Sequence, residues 1–355
     1  MIDDTICNKV LTLGCDWHYP LGGVARVLNS YNYYIYKNFK FIKTTKNGSS
    51  FVKICAFVYA VISLILYCVF SDIKIVHIHG SSYNSFRRKS VLIRVSKFFG
   101  KKVVYHIHGG EYHVFYRKNE KRVKEILRMV DAIITLSNSW KDFFVNEVGC
   151  ENVFIIPNIT PFCPPQMNSE FREIKNVVFI GTLCRNKGVY DIVQMCIDYQ
   201  NLLRNRIMIY LCGSGEVNEV QSLVGDHNLS DIITCTGAVD YAQISKMLEK
   251  CDVYILPSYN EGLPISILEA MSHSIPIIST PVGGIPEVVT NGVNGYLITP
   301  GDTEQLYHVI ETIIADDNIR KRMGEASYSR VTAHFPDSVS SKLEDIYKNL
   351  LEIKI

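Results

Sequence analysis

Glu261 and Glu269 stand eight positions apart inside Cys251 to Ala270, CDVYILPSYNEGLPISILEA, and their setting makes them candidates for chemistry. Val253 to Leu256 is a short apolar run with β-formers, which predicts a buried strand. Pro257 to Gly262 is turn chemistry. Pro264 suits the first turn of a helix, because its fixed φ fits there and its missing N–H is not needed. Ile265, Leu268 and Met271 then recur at helical spacing. The unit is strand, loop, helix, with Glu261 in the loop and Glu269 about a turn and a half along the helix. In an open α/β sheet, ligands bind beyond the carboxyl ends of the strands. Gly262 and the residues after it offer backbone amides at a helix start, which suits an anionic phosphate. Two carboxylates cannot both face one phosphate, since they would repel it. They fit a ligand with hydroxyls on both sides of its phosphates, and a sugar nucleotide is such a ligand. A surface Glu plus an ordinary helix Glu gives the same spacing, so the pair alone leaves both readings open.

Other residues of the right chemistry stand at predicted strand ends. Asn176 to Ile180 reads as a strand and runs into Gly181–Gly188, GTLCRNKG, where Lys187 can hold a diphosphate as a point charge or be an exposed turn lysine. Val10 to Leu13 is a strand candidate. Gly22-Gly23 follows it, opening a helix that carries Arg26; the turn either lets a phosphate approach the backbone or is an ordinary tight turn. Strands over Ile73–Ile78 and Val103–Ile107 end among histidines: His77 and His79, then His106, His108 and, further on, His113. A lone histidine is more often packed and hydrogen-bonded than catalytic. Gly213-Ser-Gly215 after a strand suggests a dinucleotide, but Asn218 stands where the third glycine of that fingerprint belongs.

The stretch PSYNEGLPISILEAMSHSIPIISTPVGGIPEVV, with its E-x7-E, resembles the donor-binding segment of family 4 glycosyltransferases, the retaining GT-B class. GTLCRNKG resembles the same family's G-R-L-x-x-x-K-G, with the departure that Thr182 stands where the family has Arg; Arg185, two residues before Lys187, is a candidate to supply that charge, which the resemblance itself does not show. The resemblance implies an α/β fold of GT-B type, two Rossmann-like domains whose parallel sheets face across a cleft. It implies that Gly22, Gly23 and Lys187 hold the donor's diphosphate. It implies further that backbone around Val239 reads the base, that Gly262, Leu263 and Pro264 lie beside sugar and phosphate, that Glu261 accepts from sugar hydroxyls and stabilises cationic character at the anomeric carbon, and that Glu269 accepts from the ribose hydroxyls. His108, in preference to His106 or His113, matches the histidine that contacts sugar or acceptor. The implied activity is transfer of a hexose, with retention, from a nucleotide-diphosphate sugar, UDP-sugar favoured, to a hydroxyl of a glycan or polyprenyl-diphosphate-linked acceptor in cell-surface polysaccharide biosynthesis. Rival readings are a nucleotide-sugar epimerase of the same fold and a non-catalytic donor-binding subunit; the broken glycine pattern disfavours a dehydrogenase.

Totals set the frame. The 355 residues suggest two domains with ample core. The prolines of Thr160–Ser169 mark the linker, giving domains 1–160 and 170–337 and a C-terminal helix, 338–355, that crosses back to the first. A 47% apolar and 20% charged composition is that of a globular enzyme, and a net charge of +2 gives no reason to expect nucleic acid. Eleven cysteines without a C-x2-C pair predict free thiols in a reducing cytoplasm. No basic-then-apolar leader is visible at the N-terminus. With no D-x-D and no His or carboxylate set at metal spacing, the expected site uses neither metal nor other cofactor. Ile54–Phe70 is 17 residues without a charge, at the lower edge of a membrane span; bounded by Lys53 and Asp72, it predicts a buried or membrane-apposed helix. Arg87-Arg88-Lys89 and Arg117–Lys124 predict solvated helix faces, with contact to anionic lipid, at the inner face of the plasma membrane, or to a polyprenyl-phosphate acceptor as the sharper alternative.

Overall fold

The computed structural model of the protein describes residues 1–17, 23–46, 48–163 and 173–353. The chain divides into two compact units, Met1–Thr160 with His334–Ile355, and Pro161–Ala333.

The first unit is built on a six-stranded, all-parallel sheet. Its strands are β1 (Val10–Gly14), β2 (Phe41–Lys43), β3 (Ile75–Gly80), β4 (Lys102–Ile107), β5 (Ala132–Thr135) and β6 (Val153–Ile155), in the order β2-β1-β3-β4-β5-β6. β1, β3 and β5 are buried along their whole length, as parallel strands covered on both faces must be. The order reverses between β1 and β3, so the loops leaving those strands diverge there and open a crevice. The helix Gly23–Ser30 leaves β1 on this rim. The C-terminal helix Pro336–Leu350 is part of this unit: Tyr347 Oη lies 2.6 Å from His77 Nδ1 and 2.5 Å from Tyr36 Oη.

Two details of this unit differ from the sequence reading. The apolar stretch forms the helix Ser50–Phe70, but its only buried residues are Ala60, Leu64 and Cys68. Of the two expectations for it, burial is therefore not what the fold provides. In the basic run 87–89, Arg87 is solvated but Lys89 is buried, 3% exposed. Its ammonium donates to Thr44 Oγ1, which in turn donates to the carbonyl of Gly14. The helix Tyr83–Phe98 turns Lys89 inward on the same side as Phe86 and Ile93, so charge alone was a poor guide to its face.

The second unit repeats the architecture with β7 (Lys175–Ile180), β8 (Ile207–Cys212), β9 (Ile233–Gly237), β10 (Val253–Leu256), β11 (Ile277–Ser279) and β12 (Gly295–Leu297), again all parallel, in the order β12-β11-β10-β7-β8-β9. Counted from β7 this is the 3-2-1-4-5-6 order of a doubly wound sheet, and its switch point lies between β7 and β10. The loop after β7 carries Lys187 and the loop after β10 carries Glu261, so the topology itself makes them neighbours. Every residue of the following helix, Ile265–Ser272, is buried. Pro264 serves as its N-cap with φ −66° and ψ 125°, so the helix starts one residue later than the sequence places it.

Candidate functional site

The two loops at the switch point of the second unit are fastened to each other and to the next strand. Tyr259 N donates to Asn186 O at 2.9 Å. Ser279 Oγ donates to Leu256 O at 2.6 Å, and Thr280 Oγ1 donates to Ser258 O at 2.5 Å. Gly284 N donates to Gly262 O at 2.6 Å. Gly188, at φ +71°, has room for no side chain, since a Cβ would stand 2.2 Å from Pro257 O. Gly283, at φ +57°, is as tight: its Cβ would meet Glu261 O at 2.1 Å. Backbone thus lies on backbone on both sides of residues 257–262, and the glycines are required by that approach.

Within this frame Lys187 Nζ donates to Glu261 Oε1 at 2.5 Å, an ion pair whose side chains are 26% and 9% exposed. Ser258 Oγ donates to the same oxygen at 2.9 Å. The cation and the acid therefore sit together at the carboxyl ends of β7 and β10, held by three residues from two loops. Gly262 and Leu263, next in the chain, are buried, and the helix Ile265–Ser272 that follows them carries no side-chain cap at its N-terminus. Glu269 is buried, 4% exposed, in the second turn of that helix. Val239 is half-buried in the short link between β9 and the helix Tyr241–Leu248, whose N-cap is Asp240.

Arg185 lies in the same turn as Lys187, but its guanidinium stands over the Tyr190 ring at 4.5 Å, and Tyr190 Oη donates to Glu216 at 2.6 Å. Thr182 is exposed at the start of that loop. The Gly213–Gly215 pair has a packing explanation: a Cβ at either position would strike Gly181 O or Leu183 O, and Leu183 N bonds Ser214 O at 2.7 Å. Sequence reasoning missed Ser258, Ser279 and Gly283, the residues that support the glutamate loop. The available signal was hydroxyls at successive strand ends and a Gly-Gly pair after β11.

In the first unit Gly22 lies outside the described residues. Gly23 is exposed as the first residue of its helix, and a Cβ there would meet nothing within 4 Å, so packing does not demand glycine. His108 follows β4 directly; its backbone N–H bonds Gly80 O at 2.8 Å and its side chain is buried. It belongs to a stack. His79 and His106 are register partners on adjacent strands, and the rings of His77, His79, His106 and His108 lie 4.3–5.5 Å apart between successive neighbours. His79 Nδ1 and His108 Nε2 are 3.0 Å apart, so one neutral ring donates to the other. Burial pushes His77 and His108 down to about 3, and His79 and His106 well below the ordinary imidazole value, so all four are neutral near pH 7. His113 lies apart, its ring 6.0 Å from Trp140.

Ring nitrogens of His77, His79 and His106 all fall within 4.8 Å of one another, a grouping invisible along the chain because the parallel register creates it. His77 and His106 are parallel to within 1°, so their nitrogens do not converge as the three imidazoles of a tetrahedral zinc site do, each about 2.0–2.1 Å from one ion. The stack is better described as packed neutral rings under Tyr31, whose ring meets His79 edge-on at 5.2 Å.

Comparison with known proteins follows the same division. Residues 41–160 match the profile described as Glycosyltransferase Family 4, and residues 167–330 that described as Glycosyl transferases group 1. An uncharacterised glycosyltransferase of Methanocaldococcus jannaschii is 29% identical over 239 residues, 64% of this chain and 60% of its own length. An amylovoran biosynthesis glycosyltransferase of Erwinia amylovora is 23% identical over 80% of this chain and 70% of its own. The chain spans less than two thirds of the length of the first curated relatives it matches. Among solved structures, that of Anabaena HepE in complex with UDP and glucose superimposes with a TM-score of 0.73 at 17% identity, over 97% of this chain and all of that one. Both halves thus match successive modules of one family, the folds are of GT-B type, and the chain belongs to glycosyltransferase family 4.

Proposed function

We propose that the protein transfers a hexose from a nucleotide-diphosphate sugar, UDP-sugar favoured, to a hydroxyl of a glycan or lipid-linked acceptor, with retention at the anomeric carbon. The observation that carries this reading is the Lys187–Glu261 pair at the switch point between β7 and β10. A leaving diphosphate needs a cation and amides close at hand; Lys187 and the uncapped first turn of Ile265–Ser272 supply both. When the diphosphate takes the ammonium, Glu261 is released from it. The carboxylate then accepts from sugar hydroxyls and faces the positive charge that develops at the anomeric carbon. Glu269, set one turn deeper, accepts from the ribose, and backbone near Val239 borders the base. Arg185 is assigned a lesser share of the phosphate charge, because it is engaged on Tyr190. For Gly22, Gly23 and His108 the proposed roles are those of the family: amides toward the diphosphate, and a neutral imidazole toward sugar or acceptor. No metal is assigned. The proposed setting is cytoplasmic, in polysaccharide assembly, which the eleven free cysteines and the amylovoran relative support.

The test is a panel of labelled UDP- and GDP-sugars given to the protein with and without lipid-linked acceptors, reading transfer, donor hydrolysis and epimerisation separately. Glu261→Ala and Lys187→Ala are each expected to lower turnover at least about tenfold while the fold survives. Wild-type rates in both variants end the assignment. Epimerised donor without any acceptor would instead make the protein an epimerase.

A further inference from the structure

The helix Ser50–Phe70 is the feature that the donor chemistry leaves unexplained. Over 21 residues its only charged residue is Lys53, and at 1.5 Å per residue it is about 31 Å long. Ala60, Leu64 and Cys68 join the core of the first unit, with Phe57, Val61 and Tyr67 packed at its margin. The opposite side carries Ile54, Val58, Ile62, Leu66, Val69 and Phe70, each more than half exposed. An ordinary crossover helix turns polar residues outward; this one is apolar on both sides. A contiguous apolar surface of that length marks an interaction site.

Three features of the first unit identify the occupant. First, charge: residues 40–102, which contain this helix, hold twelve Lys or Arg against one acid, Asp72; Lys89 is buried and Lys43, Lys74, Arg94, Lys97 and Lys102 pair with acids, so the cationic excess rests on Lys40, Lys46, Lys53, Arg87, Arg88 and Lys101. A second copy docked through the same face would set that cationic excess against itself, because an isologous contact repeats one patch. An anionic surface complements it. Second, a groove of about 290 Å³ opens at the helix's N-terminal end, lined by Phe51, Val52, Cys55 and Tyr59 and rimmed by Lys43 and Lys46. Apolar walls under two ammonium groups fit a phosphate headgroup above the first carbons of an acyl chain. Lys43 also reaches Asp16 at 3.5 Å, which leaves Lys46 as the more available of the two cations. Third, topology: β2 before the helix and β3 after it both pair with β1. A helix whose inner side is part of that unit's core cannot cross a bilayer without unmaking the sheet, so it lies in the plane of the interface.

We infer that Ser50–Phe70 is an in-plane anchor that seats the first unit on an anionic phospholipid bilayer, with Lys46 and Lys53 at the headgroups and Ile54, Ile62 and Leu66 in the acyl boundary. This rests on the surface alone and not on the donor chemistry, so vesicle binding and nucleotide binding fail separately.

The full chain is mixed with vesicles of phosphatidylcholine alone or with about one quarter phosphatidylglycerol, and the bound fraction is read by sedimentation at about 0.1 and 0.5 M salt. Binding to the anionic vesicles is expected, at least about tenfold weaker on neutral vesicles or at high salt. I54N/I62N/L66N, on the exposed side, should lose at least about tenfold in partitioning, and K46E/K53E should lose the preference for anionic lipid. Thermal midpoint and UDP binding serve as folding controls for both. In a Leu66→Trp variant, indole emission should shift to shorter wavelength on vesicle addition and be quenched by brominated acyl chains. The inference is overturned if the folded triple variant binds vesicles like wild type, or if Trp emission is unmoved. It is also overturned if wild type ignores vesicles but self-associates in a way the triple variant abolishes, which would make the face a contact between copies.

Discussion

Lys187 and Glu261 show how one residue pair can serve both stability and chemistry. Their ion pair is largely removed from water, and removing one partner of such a pair leaves the other charged and poorly solvated. Lys187→Met should therefore destabilise the second unit by about 3 kcal/mol, while adding Glu261→Gln to it should recover much of that loss. Urea denaturation of the four proteins of the cycle checks this; strictly additive losses would mean that the two groups do not interact. The histidine stack gives a residue-scale prediction of a different kind. Folded-state values are depressed below those of the unfolded chain, so the unfolded chain binds more protons as pH falls through about 6.5. The stabilisation from keeping His77 and His108 neutral is complete above about 6.5 and is lost progressively as pH falls toward about 3. The melting temperature of wild type should fall between about pH 7 and pH 5, and His77→Gln should reduce that slope. An equal slope in the variant would show that the titrating groups lie elsewhere.

At the scale of elements, the glutamate loop depends on glycine as much as on acid. Gly283→Ala places a Cβ against Glu261 O at a backbone conformation that L side chains rarely adopt. The expected result is a loss of nucleotide affinity of about tenfold or more with Glu261 and Lys187 both intact, read by titration calorimetry with UDP. Unchanged affinity would show that the loop's position does not matter. This also marks what was legible in the chain. β10, its loop and the following helix could be read because apolar run, turn residues and helical spacing all agreed on one answer. The neighbourhood of Lys187 and Glu261 could be argued from strand order once alternating strands and helices implied a parallel sheet. The cross-strand supports were not legible, because Ser279 and Thr280 act on Leu256 and Ser258 from a strand distant in sequence, and only the register brings them together. Lys89 was misjudged for a related reason. Its helix face is set by packing against β3, β4 and the helix Ser50–Phe70, so a basic run that reads as solvated holds one buried ammonium, pushed by that burial to about 7. Sign follows: above about 7 the folded protein keeps this amine neutral, while the unfolded chain stays protonated to about 10.4, so its stability penalty is largest below about 7 and fades as pH rises. Lys89→Met should raise the melting temperature at pH 7, and more so at pH 6, unless the ammonium has a ligand to bind.

At the scale of the molecule, the chain is two parallel-sheet units of which the first is discontinuous: it takes its last helix, Pro336–Leu350, after the second unit is complete. That helix closes the histidine stack, because Tyr347 Oη is the partner of both His77 and Tyr36. Removing 334–355 strips this hydroxyl from two buried groups and uncovers Tyr31 and His77, both 0% exposed in the intact unit. Buried polar groups left without partners typically cost about 1–3 kcal/mol each. The loss should fall on the first unit alone, since nothing in β7 to β12 uses those contacts. Donor binding, proposed for the β7–β10 switch point, should act on the other unit. Amide exchange separates the two effects. UDP should slow exchange at 185–188 and 257–268 in both the full chain and the truncated one. Truncation should speed exchange in β1, β3 and β4 and leave β10 as it was. If truncation loosens both sheets equally, the two compact units do not unfold as independent bodies. If UDP protects neither loop in the full chain, the switch point between β7 and β10 is not where the nucleotide binds, whatever the fold around it.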